Sequence, residues 1–291
     1  MRPLRILCLT VLLTFILAGC ATTPSRYDWE QHLRGDNIVM LGEVHDNPEH
    51  HRLRAGVLRR AVEAGWRPAL AMEQFDRERQ PDIERARRER PHDARHVIHL
   101  AGLAIDQSRN TWPWEHYQPF IELALEYDLP LIAANLSRAD IGKIMKDGYA
   151  AVFDAPALES LGLARPPPAD LQATQERAIA RGHCNALPPA MIPAMTRGQL
   201  ARDAVMAATV SRHAERGVVL LAGNSHVNRI IGAPRWLGPE LLARTVVIGY
   251  LEDQATTVTS GPKPFDTVVL TIAATRSDPC ADLLLRFKKA G

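Results

Sequence analysis

Two short motifs in this 291-residue chain have residue types suited to acid–base or metal chemistry. Leu41-Gly42-Glu43-Val44-His45-Asp46-Asn47 and Ala222-Gly223-Asn224-Ser225-His226 each close an apolar run with Gly-x-x-His, some 180 residues apart. A third apolar run ends Met72-Glu73-Gln74-Phe75, and a fourth ends at Asn135. Imidazoles and carboxylates at the ends of buried strands cannot stay unpaired at low dielectric, so they must bind each other, a metal or a substrate. Two His with Glu is a ligand set for a divalent metal ion and equally a general acid–base set for a hydrolase. Glu43, His45, Glu73 and His226 are therefore the candidate catalytic or metal-binding residues, with Asn135 and Asn224 as rim support. The glycine ahead of each polar group lets backbone come close to whatever sits there. The plainer alternative is a polar cluster that merely caps a sheet.

These residues share a rim only if the runs before them are neighbouring strands pointing the same way. The apolar runs 37–42, 68–73, 129–134, 218–223, 245–250 and 267–272 read as buried strands. Asn47-Pro48 starts a helix that Gly65 stops, Tyr117 to Tyr127 is a second, and another begins near Asn224. Alternating strands and helices predict an α/β fold: a largely parallel sheet flanked by helices. In such sheets ligands bind at the carboxyl ends of the strands. Residues 138–212 contain no strand-like run but carry Ala-rich helical patterns, and read as an inserted small all-helical lobe. The α/β domain then comprises 37–137 and 213–291. Arg77 to Arg95 interleaves arginines with acids, as a solvated helix with i,i+4 pairs does.

The ends of the chain carry addresses and a cross-link. Arg2 and Arg5 precede an apolar run, Ile6 to Leu17, too short to span a bilayer comfortably. Leu17-Ala18-Gly19-Cys20 then resembles a bacterial lipoprotein signal, which implies removal of 1–19, acylation of Cys20 and a tether over 20–36. Ala21 after the cysteine resembles lipoproteins sorted to the outer membrane, on its periplasmic or cell-surface side. Export permits disulfides, and Cys184 and Cys280 lie in loop-like sequence without CxxC spacing, so they are expected to pair. Removing Arg2 and Arg5 leaves 33 basic against 33 acidic residues, which gives no electrostatic case for nucleic acid. With 46% hydrophobic residues the chain is not disordered.

The motif residues also carry a family resemblance. Leu41 to Asn47 with His50-His51, Met72 to Arg77 with Gln80, Trp114 to Pro119, Ala133 to Asn135, Gln199 to Ala207 and Ala222 to Val227 resemble, in order, the ChaN-like haem-uptake lipoproteins. The resemblance implies a parallel sheet with a small helical domain, and a haem-binding lipoprotein of haem and iron uptake that dimerises around haem. It implies a tyrosine on the haem iron, with His and Lys from the partner subunit on the propionates. An outer-membrane haem receptor is the further partner expected. The wider superfamily includes erythromycin-esterase-like proteins and Tiki-type metalloproteases, and by that resemblance His45, Glu73 and His226, with Glu43 beside them, match a hydrolytic or metal site. Tyrosinate is a hard oxygen donor suited to ferric iron. Of Tyr27, Tyr117, Tyr127, Tyr149 and Tyr250, Tyr149 is placed first, because Lys143, Met145 and Lys146 precede it. Tyr117 is placed second, with a hydroxyl paired into the Glu73 cluster as its other reading. Lys146 and His183 are the propionate candidates.

Overall fold

The computed structural model describes residues 28–103, 112–253, 262–278, 280, 281 and 284. The signal segment and residues 20–27 of the tether, with Cys20 and Tyr27, lie outside the described residues, and from Asp28 the expected tether is instead folded, with Trp29 and Leu33 buried in the core. The first strand, β1 (Ile38–Leu41), is wholly buried, and helix α1 (Pro48–Glu63) follows. Asn47 caps α1 by accepting from the Glu49 and His50 backbone N–H groups, and Pro48 occupies the first turn. Strand β2 (Ala69–Asp76) leads to α2 (Gln80–Glu89), α3 (Ala94–Val97) and α4 (Trp114–Glu126), then to β3 (Leu131–Asn135). Four helices come next: α5 (Arg138–Asp147), α6 (Ala155–Ser160), α7 (Ala169–Gly182) and α8 (Ile192–Arg212). The chain returns through β4 (Val218–Leu221), α9 (Asn224–Val227), α10 (Pro239–Ala243), β5 (Thr245–Glu252) and β6 (Thr267–Thr271).

All six strands are parallel, in the order β3-β2-β4-β1-β5-β6. Successive strand residues point to opposite faces, and both faces are dry. Val39, Leu41, Leu70, Met72, Val219 and Leu221 pack under α1 and α4, whereas Ile38, Met40, Ala69, Ala71, Val218 and Leu220 pack under α8. The expected strands are all present, but β2 and β5 run on to Asp76 and Glu252, and the helix at Asn224 is a single turn. The charged stretch is divided between α2 and α3 rather than one helix, with ion pairs Arg79–Asp82, Arg85–Asp82 and Arg85–Glu89. The β3 edge is closed by a side chain. Gln80 accepts from Ala133 N–H at 2.7 Å and donates to Leu131 C=O at 3.0 Å, occupying the place of a seventh strand.

The helical insertion is not wholly a separate lobe. Met206, Ala207 and Val210, in the second half of α8, belong to the core on the sheet's lower face, so 212 is not a domain boundary. Leu136, Ile144, Phe153, Leu163, Ala201, Ala204 and Val205 form a smaller core between α5, α6 and the middle of α8. Among the described residues no helix is long and apolar enough to cross a membrane. The Cys184–Cys280 disulfide is present, with Cα atoms 5.6 Å apart, and ties the end of the chain to the turn after α7.

Candidate functional site: a buried acid–base rim and a half-buried tyrosine

The strand register assembles the rim. Leu41 and Met72 both pair with Leu221, so the residues that follow them leave three adjacent strands in one row. Because β4 lies between β1 and β2, the two Gly-x-x-His turns are neighbours and Glu73 flanks them. Both glycines are required by close approach. A Cβ on Gly223 would fall 2.9 Å from His45 Cε1, and one on Gly42 would overlap the Asn224 carboxamide. Asn224 joins the turns, donating from its backbone N–H to Glu43 C=O at 2.9 Å and from Nδ2 to Tyr250 C=O at 2.6 Å.

Glu43 is the centre of one polar cluster. Its Oε1 accepts from the Tyr117 hydroxyl at 2.5 Å and contacts His45 Nδ1 at 2.8 Å, while its Oε2 pairs with the wholly buried Arg54 guanidinium. Arg54 also lies over the Phe120 ring, and burial pulls its pKa down to about 10, still charged at neutral pH. Burial pushes the Tyr117 hydroxyl well above the usual phenol range, so it remains a donor. His51 holds the turn from below, donating Nε2–H to the His45 carbonyl at 2.9 Å, and burial lowers it to about 4. The His45 side chain is 45% exposed, edge-on to Trp112. It is the point where the cluster meets solvent.

Glu73 is the centre of the other. Its Oε2 accepts from Gly223 N–H at 2.7 Å, and its Oε1 faces His226 Nε2 at 3.5 Å. His226 Nδ1 lies 2.6 Å from Asp203 Oδ1 on α8. A carboxylate–imidazole–carboxylate chain thus runs inward from the rim. Burial alone would lower the His226 pKa, but Glu73 and Asp203 outweigh it and hold the ring above its ordinary value. Burial would raise Glu73, but His226, His45 and the Gly223 N–H hold it below the carboxylate range. Asp203 is pushed up to about 6, burial exceeding the pull of His226. Asn135 donates to Glu73 C=O at 2.9 Å and accepts from Arg202 at 2.5 Å.

A model of the family described as haem-binding uptake, Tiki superfamily, ChaN matches residues 29–237. The chain belongs to the ChaN family. Among solved structures, a ChaN of Campylobacter jejuni, described as binding haem cofacially, is 19% identical over 82% of this chain and 88% of its own, with a TM-score of 0.61. At that identity the likeness is one of fold. The type III effector HopBA1 (13% identity, TM-score 0.42, 82% and 88% covered) and an erythromycin esterase in its open conformation (15%, 0.38, 79% and 75%) are more distant. No curated protein matches.

Among the residues expected to serve this ChaN-family chain, two expectations need correction. Tyr117 does not suit haem: it is wholly buried and its hydroxyl is spent on Glu43. The rim also lacks the donor set of a divalent metal site. Among the described residues no three His, Cys, Asp or Glu side chains converge on one point, because carboxylates and imidazoles pair with each other and with Arg54, Tyr117 and the Gly223 N–H.

Tyr149 is placed differently. It follows Gly148, whose φ of +87° turns the chain out of α5, and is half-buried against the smaller helical core. Its hydroxyl has no hydrogen-bond partner among the described residues and is not among the atoms sealed from solvent. Burial pushes it up to about 12, with the Arg197 guanidinium acting in the opposite sense. Lys146 is exposed in the last turn of α5, and His183 caps α7 with Nδ1 donating to Ile179 C=O at 2.8 Å, leaving Nε2 free of that bond. Asp203, Arg54 and Arg202 were not singled out by sequence reasoning, and His51 was noted only as part of the family motif. Asp203 sits inside the Gln199–Ala207 block that resembles the family. Arg54 lies between Leu53 and Val57 on a helix where a charged residue reads as surface.

Proposed function

We propose that this protein is a lipid-anchored haem-binding protein of haem and iron uptake, with Tyr149 as the iron ligand. Membership of a haem-binding family supports the ligand class. The observation that carries the residue is the Tyr149 hydroxyl, half-buried, accessible and, among the described residues, without a hydrogen-bond partner, beside Arg197. A phenolate oxygen suits ferric iron, and an apolar helical surface suits the porphyrin face. Lys146 and His183 serve as propionate partners, haem lies between the helical segments of two copies, and the lipid on Cys20 holds the assembly at the outer membrane. An outer-membrane haem receptor would be its delivery partner. Ferric haem titration tests the reading: the wild type gives a saturable Soret change, and Tyr149→Phe loses most of the affinity. Equal affinity in the two proteins would overturn the ligand assignment. Sedimentation with and without haem tests the dimer.

A second reading is a His/Glu hydrolase, favoured by the Asp203–His226–Glu73 chain ending beside solvent-open His45. In it His45 takes a proton at Nε2 from water or a substrate hydroxyl, its Nδ1 held by Glu43, while His226, held by Asp203, orients Glu73. A panel of ester substrates tests it: turnover abolished in His45→Ala with haem binding intact supports it, and no turnover of any member counts against it.

A further inference from the structure

The amino ends of the strands form the pole opposite the rim, and this pole is basic. Loops entering the sheet are knitted together there. Trp66 Nε1 donates to Gly35 C=O at 2.9 Å, Arg216 Nε donates to Arg67 C=O at 3.3 Å, and Arg244 reaches both Asp36 and Ala214 C=O. A Cβ on Gly217 would meet Trp66 Nε1 at 3.0 Å, so the turns before β1, β2 and β4 touch. These turns and the end of α8 present Arg34, Arg67, Arg212 and Arg216, all exposed. None of the four pairs with a carboxylate among the described residues. Arg67 donates to Val62 and Trp66 carbonyls, and Arg212 to the Thr209 hydroxyl. Asp36 is already neutralised by Arg244, and Asp128 by Arg87. Glu215 in the same turn, Glu63 at the end of α1 (paired with Arg59) and Glu240 in α10 are the exposed acids in the segments entering β4, β2 and β5. Since the mature chain balances 33 basic against 33 acidic residues, this concentration is a local polarity, not the molecule's overall charge.

The chain enters the fold at the same pole. The described residues begin at Asp28, in a three-ten turn whose His32 carbonyl accepts from Asn37, just before β1. Between Cys20 and Asp28 lie seven residues, a span of about 25–30 Å at full extension. An acyl chain on Cys20 would hold the arginines within reach of lipid headgroups, where basic groups gain about 1 kcal/mol each, roughly fivefold in partitioning.

We propose that Arg34, Arg67, Arg212 and Arg216 form a docking face for anionic phospholipid headgroups, seating the amino pole on the membrane and turning the His45 rim away from it. The proposal rests on the lipid-anchor part of the proposed function. The test uses the acylated protein in phosphatidylcholine vesicles, with and without phosphatidylglycerol. Flotation reads the anchor, and trypsin cleavage after Arg34 and Arg216 reads the docking. Slower cleavage on the anionic vesicles, lost at raised salt and in the combined Arg34→Gln, Arg67→Gln, Arg212→Gln, Arg216→Gln variant when its hydrogen exchange at 64–68 and 212–217 is followed, supports the proposal. Arg138→Gln, at the opposite pole, should leave the protection intact. Flotation with both vesicles but equal cleavage and exchange on both overturns the docking alone. A chain that floats with neither overturns docking and anchor together. Protection given by peptidoglycan sacculi and not by anionic vesicles overturns the choice of partner.

Discussion

Asp203 determines what kind of histidine His226 is. With Nδ1 on Asp203 and Nε2 facing Glu73, the two carboxylates favour the charged form of the ring and hold its pKa above the ordinary value. Replacing one of them leaves charge undercompensated at low dielectric. Asp203→Asn should therefore lower the His226 pKa from above 6.5, followed by the imidazole Cε1–H shift in a pH titration; an unmoved titration would show that Glu73 alone sets it. The pH dependence of stability follows from the same shifts. His226 is raised, so its contribution is full below its ordinary 6.5 and is lost as pH rises through the folded value. Glu73 is lowered, so its contribution is full above its ordinary 4.5 and is lost as pH falls through the folded value. The Tm difference between wild type and a Glu73→Gln, His226→Gln double variant should be largest between those two values. A difference that keeps growing toward alkaline pH would contradict the assignment. Asp203, raised to about 6, contributes in the same sense as His226, and because His226 and Glu73 help to set its value it shifts in the double variant as well.

At the scale of elements, strand order makes the site. The two Gly-x-x-His ends, Glu73 and Asn135 were legible as a shared rim, because each closes a run of buried apolar residues. The placing of β4 between β1 and β2 was not legible: neighbour choice in a parallel sheet depends on long crossovers that leave no local pattern. The same limit hid Asp203 and Arg54. Each lies on a helix face whose polarity suits solvent until a strand end is packed against it. Tyr117 was legible as a polar cluster partner, but its acceptor is Glu43 rather than Glu73. The end of the chain is fixed by elements too. Arg276 bridges Asp46 and Glu252 with bonds of 2.6–2.9 Å, and Cys280 is then joined to Cys184. With 96 residues between the cysteines, loop entropy puts the bridge at about 4–5 kcal/mol. A Cys184→Ser, Cys280→Ser variant should lose a large part of that in denaturant unfolding, and a loss below about 1 kcal/mol would mean that Arg276 and the C-terminal packing carry the segment unaided.

At the scale of the whole molecule, the acid–base rim lies on the sheet, and Tyr149, the proposed haem ligand, lies on the helical insertion. Helix α8 touches both, with Arg197 near Tyr149 and Asp203 on His226. Because burial lifts the Tyr149 hydroxyl to about 12, ligation at neutral pH must release its proton. Haem affinity should therefore rise with pH, by up to about tenfold per unit where no other group titrates, in equilibrium titrations across the neutral range. A pH-independent affinity would point to a ligand other than a phenol. In the proposed arrangement the lipid anchor and the arginine pole would face the membrane, leaving rim and helical insertion to the aqueous side. The most direct measurement of the central claim is the resonance Raman spectrum of the ferric haem complex. The account predicts iron–phenolate bands in the wild type and in Tyr117→Phe, and their absence in Tyr149→Phe. Phenolate bands that persist in Tyr149→Phe, or that are missing from the wild type, would contradict it.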